Sequence, residues 1–192
     1  MTLVYIHGAA SDATTFDFLQ SHLAHPRPRF FNYTSQDSFR NNLVAMRDQL
    51  LEIPGKIDIV AHSLGGIYAA HLFDSHRDRI RRVVSLSTPF NGSEIASWIR
   101  LAVPNHPLFE DITPNSWPIA HIRDIKITAP WTQVVSMHGS VPWFFQRNDG
   151  VVTHRSMTSR DDVEYVEVKY DHYDIVQTPE VAELIAHKLL LK

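Results

Sequence analysis

The chain has 192 residues, 44% of them hydrophobic and 20% charged, which suits one globular domain with a sizeable core and excludes a disordered chain. The formal charge is −3 with His neutral, and no basic tract stands out, so nucleic acid is not an expected partner. The absence of cysteine excludes disulfide scaffolds, thiolate metal sites and a cysteine nucleophile.

The first element is a strand over 3–6, Leu3-Val4-Tyr5-Ile6, ended by His7-Gly8. That apolar run lacks the length and basic start of a secretory signal, and no segment reaches the length of a membrane span. Cytoplasmic residence is therefore expected. A short helix is predicted over 14–22 and an edge strand over 29–33. Phe39, Leu43, Met46 and Leu50 recur at helical spacing, which predicts an amphipathic helix stopped by Pro54-Gly55. Ile57-Asp58-Ile59-Val60-Ala61 is a buried strand, followed by a helix from Ile67 to about Asp74 and a strand over 82–86.

Residues from about 93 to 130 interrupt this alternation. They include Pro104, Pro107, Pro114, Pro118 and Pro130 and are too many for a plain connection. This stretch is predicted to be an insertion packed over one end of the sheet. Strands follow over 131–137 and 163–170. Thr178-Pro179-Glu180 opens the last helix, with Thr as N-cap, Pro in the first turn and an acid near the positive end of the dipole. Val181, Leu184, Ile185 and Leu189 form its buried face. The alternation predicts an α/β fold: a compact six-stranded, mostly parallel sheet flanked by helices, in one domain over 1–192 with a modest cap-like insertion.

The segment Asp58-Ile59-Val60-Ala61-His62-Ser63-Leu64-Gly65-Gly66 carries the chemistry. A buried strand runs into small-x-Ser-x-Gly and then into a helix. A serine hydroxyl is a weak nucleophile unless a base takes its proton and the emerging oxyanion is stabilised. A sharp strand-to-helix turn lifts the Ser63 side chain clear of the sheet and aims a helix N-terminus at the reacting carbonyl. Such a turn is crowded, which calls for small residues two places either side, here Ala61 and Gly65. Gly66, Ala69 and Ala70 then let the helix lie close to the sheet.

Ile59-Val60-Ala61-His62-Ser63-Leu64-Gly65-Gly66 resembles the nucleophile elbow of the lipase/esterase branch of the α/β-hydrolase superfamily, with Ala61 where the common pattern has Gly. Three further stretches resemble the family in the right order. Val4-Tyr5-Ile6-His7-Gly8 is similar to its oxyanion-loop strand. Ser87-Thr88-Pro89-Phe90-Asn91-Gly92-Ser93 is similar to its Thr-Pro-x-x-Gly-Ser segment, and Asn148-Asp149-Gly150-Val151-Val152 to its acid-bearing turn. The resemblance implies hydrolysis of a carboxylic ester through an acyl-enzyme. It implies Ser63 as nucleophile, Asp149 as the acid after the penultimate strand, and His172 as the base between the last strand and the last helix. Asp149 lies in an Asp-Gly pair that is also an ordinary turn signal. Asp171 and Asp174 are its rivals, and His154 is the second choice of base. The backbone N–H groups of Leu64 and Ala9 are the expected oxyanion donors. His62 is expected to pack or hydrogen-bond behind the site.

Val141-Pro142-Trp143-Phe144-Phe145 precedes Asp149, which makes Trp143 and Phe144 candidates for binding an apolar substrate. Trp98, Leu101, Val103, Leu108, Phe109 and Trp117 of the insertion either line an acyl pocket or form its buried side. His, Asp and Glu are scattered, so no metal site is expected, and neither is any cofactor. The expected partner is a small-molecule acyl ester. Thioesterase, amidase or acyltransferase chemistry would use the same residues, since pocket shape sets the leaving group and acceptor. A non-catalytic binding protein is the reading from another class.

Overall fold

A computed structural model describes residues 2–23, 25, 28–94, 111–139 and 146–190. Its centre is a six-stranded sheet of β1 (Thr2–Ile6), β2 (Pro28–Phe30), β3 (Ile57–His62), β4 (Ile80–Leu86), β5 (Trp131–Ser136) and β6 (Glu164–Val168). The spatial order is β2-β1-β3-β4-β5-β6, and every pairing is parallel. Helices α1 (Asp17–Leu23), α2 (Phe39–Glu52), α3 (Leu64–Ser75), α4 (Trp117–Asp124), α5 (His154–Met157) and α6 (Pro179–Leu189) follow the strands.

A parallel sheet is covered on both faces, so its central strands are apolar almost without interruption. Accordingly β3 and β5 are buried along their whole length. Alternate residues go to opposite faces. Val4, Ile6, Ile59 and Val83 meet Phe39, Met46, Ile67 and Phe73 from α2 and α3. Leu3, Tyr5, Val60 and Val84 meet Leu19, Val181, Ile185 and Leu189 from α1 and α6.

Local signals fix the helix ends. Ser38 caps α2 by accepting the Asn41 N–H at 3.2 Å. Helix α3 begins at Leu64, earlier than the periodicity from Ile67 suggests, because Gly65 and Gly66 lie inside its first turn. The described part of the expected insertion includes α4, which packs on α3. There the His71 ring donates to the Pro118 carbonyl at 3.0 Å, and Trp117 stacks near His71 and His121.

The chain leaves β1 for β2 on one side and continues from β3 on the other. The strand order therefore reverses between β1 and β3. The carboxyl ends of strands flanking such a reversal form a crevice, the usual ligand position in open α/β sheets. Ser63 follows β3 at that crevice.

Candidate active site

Ser63 stands between β3 and α3 with φ 51° and ψ −121°, a left-handed conformation that disfavours any side chain. Hydrogen bonds hold it there. Its N–H donates to the Leu86 carbonyl at 2.8 Å, and its carbonyl accepts from Gly66 N–H at 3.0 Å. A Cβ at Gly65 would drive into the Ile6 carbonyl oxygen and stand 2.6 Å from that of His7. A Cβ at Gly66 would strike the Thr88 side chain. The two glycines thus let α3 start directly against the ends of β1 and β4. Leu64 opens α3, so its N–H belongs to the first turn, whose donors have no intrahelical acceptor.

His172 Nε2 lies 3.0 Å from Ser63 Oγ, and His172 Nδ1 lies 2.7 Å from Asp149 Oδ2. A carboxylate only accepts, so Nδ1 carries the ring proton and Nε2 accepts from the Ser63 hydroxyl. The other Asp149 oxygen accepts the N–H groups of Val151 at 3.0 Å and Val152 at 2.7 Å. Oδ2 also accepts the Ser136 hydroxyl. Burial works against the Asp149 charge. Hydrogen bonding and charge from His172, with the donors Ser136 and Val152, outweigh it and hold the carboxyl below its usual range.

The acid and base loops are also joined through their backbones, His172 N–H donating to the Asp149 carbonyl at 3.1 Å. The Asn148 side chain accepts from Gly150 N–H at 2.9 Å, and Gly150 takes φ 95°, so Asn148-Asp149-Gly150 forms a side-chain-stabilised turn. A Cβ on Gly139 would collide with the backbone of Asp149 and Gly150. The chain leaving β5 therefore supports this turn directly.

His62 Nε2–H donates to the His172 carbonyl at 2.8 Å. Burial, then the nearby His172, push its pKa down to about 3, so the ring is neutral. It links the nucleophile turn to the loop of His172. His7 accepts from Tyr33 N–H at 3.3 Å through Nε2, which leaves Nδ1–H to donate to the Gly8 carbonyl at 2.8 Å. The His7 and Tyr33 rings stack at 4.3 Å. Ala10 has φ 51° and donates its N–H to Ser35 Oγ at 2.8 Å. A Cβ on Gly8 would stand 3.0 Å from His62 Nδ1 and 3.2 Å from Ser63 Cβ, so this loop passes close to Ser63.

A cavity of about 610 Å³ opens at Ser63. Gly8, Ala9, Leu64 and His172 line it beside Ser63, with Pro89, Ile112, Val151, Val152 and Val176 as apolar wall and Ser11, Thr15 and Gln177 as polar wall. Ile112, Thr15 and Gln177 carry no sequence signal that singles them out. The expected helix over 14–22 covers Thr15, and the Thr178 cap lies next to Gln177, but neither signals proximity to Ser63. Trp143 and Phe144 lie outside the described residues, as do Trp98, Leu101, Val103, Leu108 and Phe109. Trp117 packs against Phe39 and His71, with the Arg40 guanidinium 3.8 Å over its ring. His154 begins α5 and bonds Glu167 at 2.9 Å. Asp171 accepts the N–H groups of Tyr173 and Asp174. Among the described residues no group of three or more His, Cys, Asp or Glu is placed to hold a metal ion.

A parallel sheet with a serine at a strand-to-helix turn, facing a histidine and a buried carboxylate, defines a class of hydrolase scaffold. The chain belongs to the alpha/beta hydrolase family, whose model matches residues 3–180. Among solved structures it is similar to the mature lipase BlEst2 of Bacillus licheniformis, with 16% identity and a TM-score of 0.75 over 100% of this chain and 92% of that one. It is similar to the metagenomic carboxyl esterase MGS0156, with 14% identity and a TM-score of 0.78 over 100% of this chain and 75% of that one. The Vlm2 thioesterase domain matches with 18% identity and a TM-score of 0.62 over 99% of this chain and 94% of that domain. At such identities the likeness is one of fold. No curated protein sequence matches the chain.

Proposed function

We propose that the protein is a serine hydrolase that cleaves carboxylic esters through an acyl-enzyme. The observation that carries this reading is the unbroken row of hydrogen bonds from Ser63 Oγ through His172 to Asp149 at a cavity. A lipase and a carboxyl esterase among the structural neighbours support it.

In this reading His172 Nε2 takes the Ser63 proton as Oγ attacks the ester carbonyl. Asp149 holds the ring in the required tautomer and stabilises the imidazolium. The oxyanion is held by the N–H groups of Leu64 and Ala9, each donor of this kind being worth about 3 kcal/mol of transition-state stabilisation. The imidazolium then gives its proton to the departing alkoxide, which leaves as the alcohol. Water repeats the sequence on the acyl-enzyme, releasing the acid and restoring Ser63. The substrate is a small-molecule ester, and the apolar wall of Pro89, Ile112, Val151 and Val176 favours an apolar portion in it. Cytoplasmic residence accompanies the reading as an expectation from sequence. Among the described residues, no helix is long and apolar enough to cross a membrane.

The test is turnover of p-nitrophenyl esters from acetate to palmitate, with a thioester in parallel, by wild type and Ser63→Ala. Ester turnover in the wild type, reduced about 10³-fold or more in the variant, is the expected result. Equal turnover by a folded Ser63→Ala would remove Ser63 from the reaction. Turnover of the thioester alone would move the substrate class.

A further inference from the structure

We infer that Ser136, itself held by Ser87, is a positioning residue that fixes the Asp149 carboxylate against His172, a role that rests on the hydrolase reading above. The two carboxylate oxygens are held differently. Oδ1 is fixed by two backbone N–H groups of its own turn, at 3.0 and 2.7 Å. Oδ2, the oxygen that faces His172, has Ser136 Oγ as a further partner. Ser136 is the last residue of β5 and is fully buried. Its hydroxyl therefore reaches Asp149 from the rigid sheet, whereas Val151 and Val152 reach it from the acid's own loop.

Proton counting gives the row a direction. An ionised carboxylate only accepts, and a serine hydroxyl has one proton to give. Ser136 spends that proton on Asp149 and not on Met157 Sδ, a weaker acceptor at 3.7 Å. Ser87 Oγ lies 2.6 Å from Ser136 Oγ, so Ser87 is the donor to Ser136. Each donor in such a row polarises the next.

Ser87 supplies an independent observation. It follows β4, is fully buried, and holds φ 52°, where glycine would sit without strain. Its N–H donates to the Val134 carbonyl at 2.9 Å, which fixes the backbone beside β5. A side chain is thus retained at a conformation that disfavours one, with its hydroxyl on Ser136. Neither serine lines the cavity at Ser63. Their effect on a reaction there has to pass through Asp149.

The test compares wild type, Ser136→Ala and Ser136→Thr, reading kcat and KM on a p-nitrophenyl ester and the NMR resonance of the His172 Nδ1 proton. Loss of the hydroxyl should lower kcat about tenfold with KM unchanged, the size expected for a hydrogen bond to a charged group. The Nδ1 resonance should move upfield as the carboxylate loses its alignment. Thr, which keeps Oγ, should restore both. A resonance that stays in place or moves downfield in a folded Ser136→Ala overturns the proposal, as does a loss seen only in KM.

Should Ser136→Ala fail to fold, Ser87 decides. Ser87→Gly and Ser87→Ala both remove the donor, but only glycine relieves the backbone. Equal kcat losses of about threefold, with a higher Tm for the glycine variant, support the row. Activity that follows Tm overturns it. The resonance is read without substrate. If wild type turns over neither ester nor thioester while the resonance responds as expected, the hydrolase reading falls and what stands is the hold of Ser136 on the Asp149 carboxylate.

Discussion

The two ends of the sheet handle polar groups in opposite ways. At the amino end, Asp58 is buried and paired with Arg81, whose Nε donates at 2.8 Å and whose second nitrogen bonds the other carboxylate oxygen. The turn leading into β3 uses Gly55 at φ 74°, where a glycine is unstrained. At the carboxyl end, Ala10, Ser63 and Ser87 hold φ of 51°, 51° and 52° with side chains in place. Around them lie the buried His62, Ser136, Asp149 and His172. One end pairs a buried carboxylate with a partly exposed guanidinium, and beside that pair Leu190 holds φ 53° just past α6. The other gathers strained backbone and titratable groups from distant parts of the chain, as sites of chemistry do.

The comparison can be broken most sharply at Asp149. Asp149→Asn keeps the shape but offers His172 a different partner. It is expected to lower kcat for ester hydrolysis by about 10⁴-fold while leaving the far-ultraviolet circular dichroism unchanged. Retained turnover would mean that the carboxyl end is as structural as the amino end. Arg81→Ala probes that other end. It leaves the Asp58 carboxylate without its guanidinium and should reduce unfolding free energy by about 2 kcal/mol in urea, less than for a fully enclosed pair because Arg81 is partly exposed. Its kcat should match wild type. A fall in kcat without a fall in stability would show that the two ends are coupled.

The third prediction concerns acid. The folded state keeps His62 neutral down to about 3, whereas the unfolded chain protonates it near 6.5. Between those values the unfolded state binds more protons, so stability falls as pH falls through that window. Asp149, with its lowered pKa, acts in the same sense. Its contribution is present above the ordinary carboxylate range and is lost as pH falls through the folded value. His62→Gln should flatten the decline in stability between about pH 6.5 and pH 4, by at most about 1.4 kcal/mol per pH unit. Calorimetry across that range measures it. An unchanged slope would mean that His62 already titrates in the fold.

The fold was legible because its signals are local and repeated. Ile57-Asp58-Ile59-Val60-Ala61 is apolar on both faces, as a central parallel strand requires, and Phe39, Leu43, Met46 and Leu50 mark one side of a helix. Ser63 was legible because strand, turn and helix signals meet there. Asp149 and His172 stood out only by their order along the chain, since Asp-Gly is a common turn and the chain has 12 His. Ser136 gave no signal, and Ser87 stood out only as the first residue of the Ser87-Thr88-Pro89 stretch, with nothing to tie it to the acid. A serine closing an apolar strand is unremarkable until the third dimension brings it to a carboxylate. The same holds for Gly139, whose lack of a side chain matters only because the Asp149 turn lies against it. Thr15 and Gln177 reach the cavity from helical turns on opposite sides of the chain's middle, a proximity that periodicity does not encode.

The outermost strands of the sheet have a consequence for association. An unpaired strand edge invites another chain to add to it. Here β2 is three residues long and opens with Pro28, which has no N–H to offer a neighbour. At the far side β6 carries Glu164 and Glu167, both exposed, with Lys188 drawn onto Glu164. Extension of the sheet by a second copy would meet a short, donor-poor strand at one border and a charged one at the other. The two border strands therefore disfavour edge-to-edge growth of the sheet.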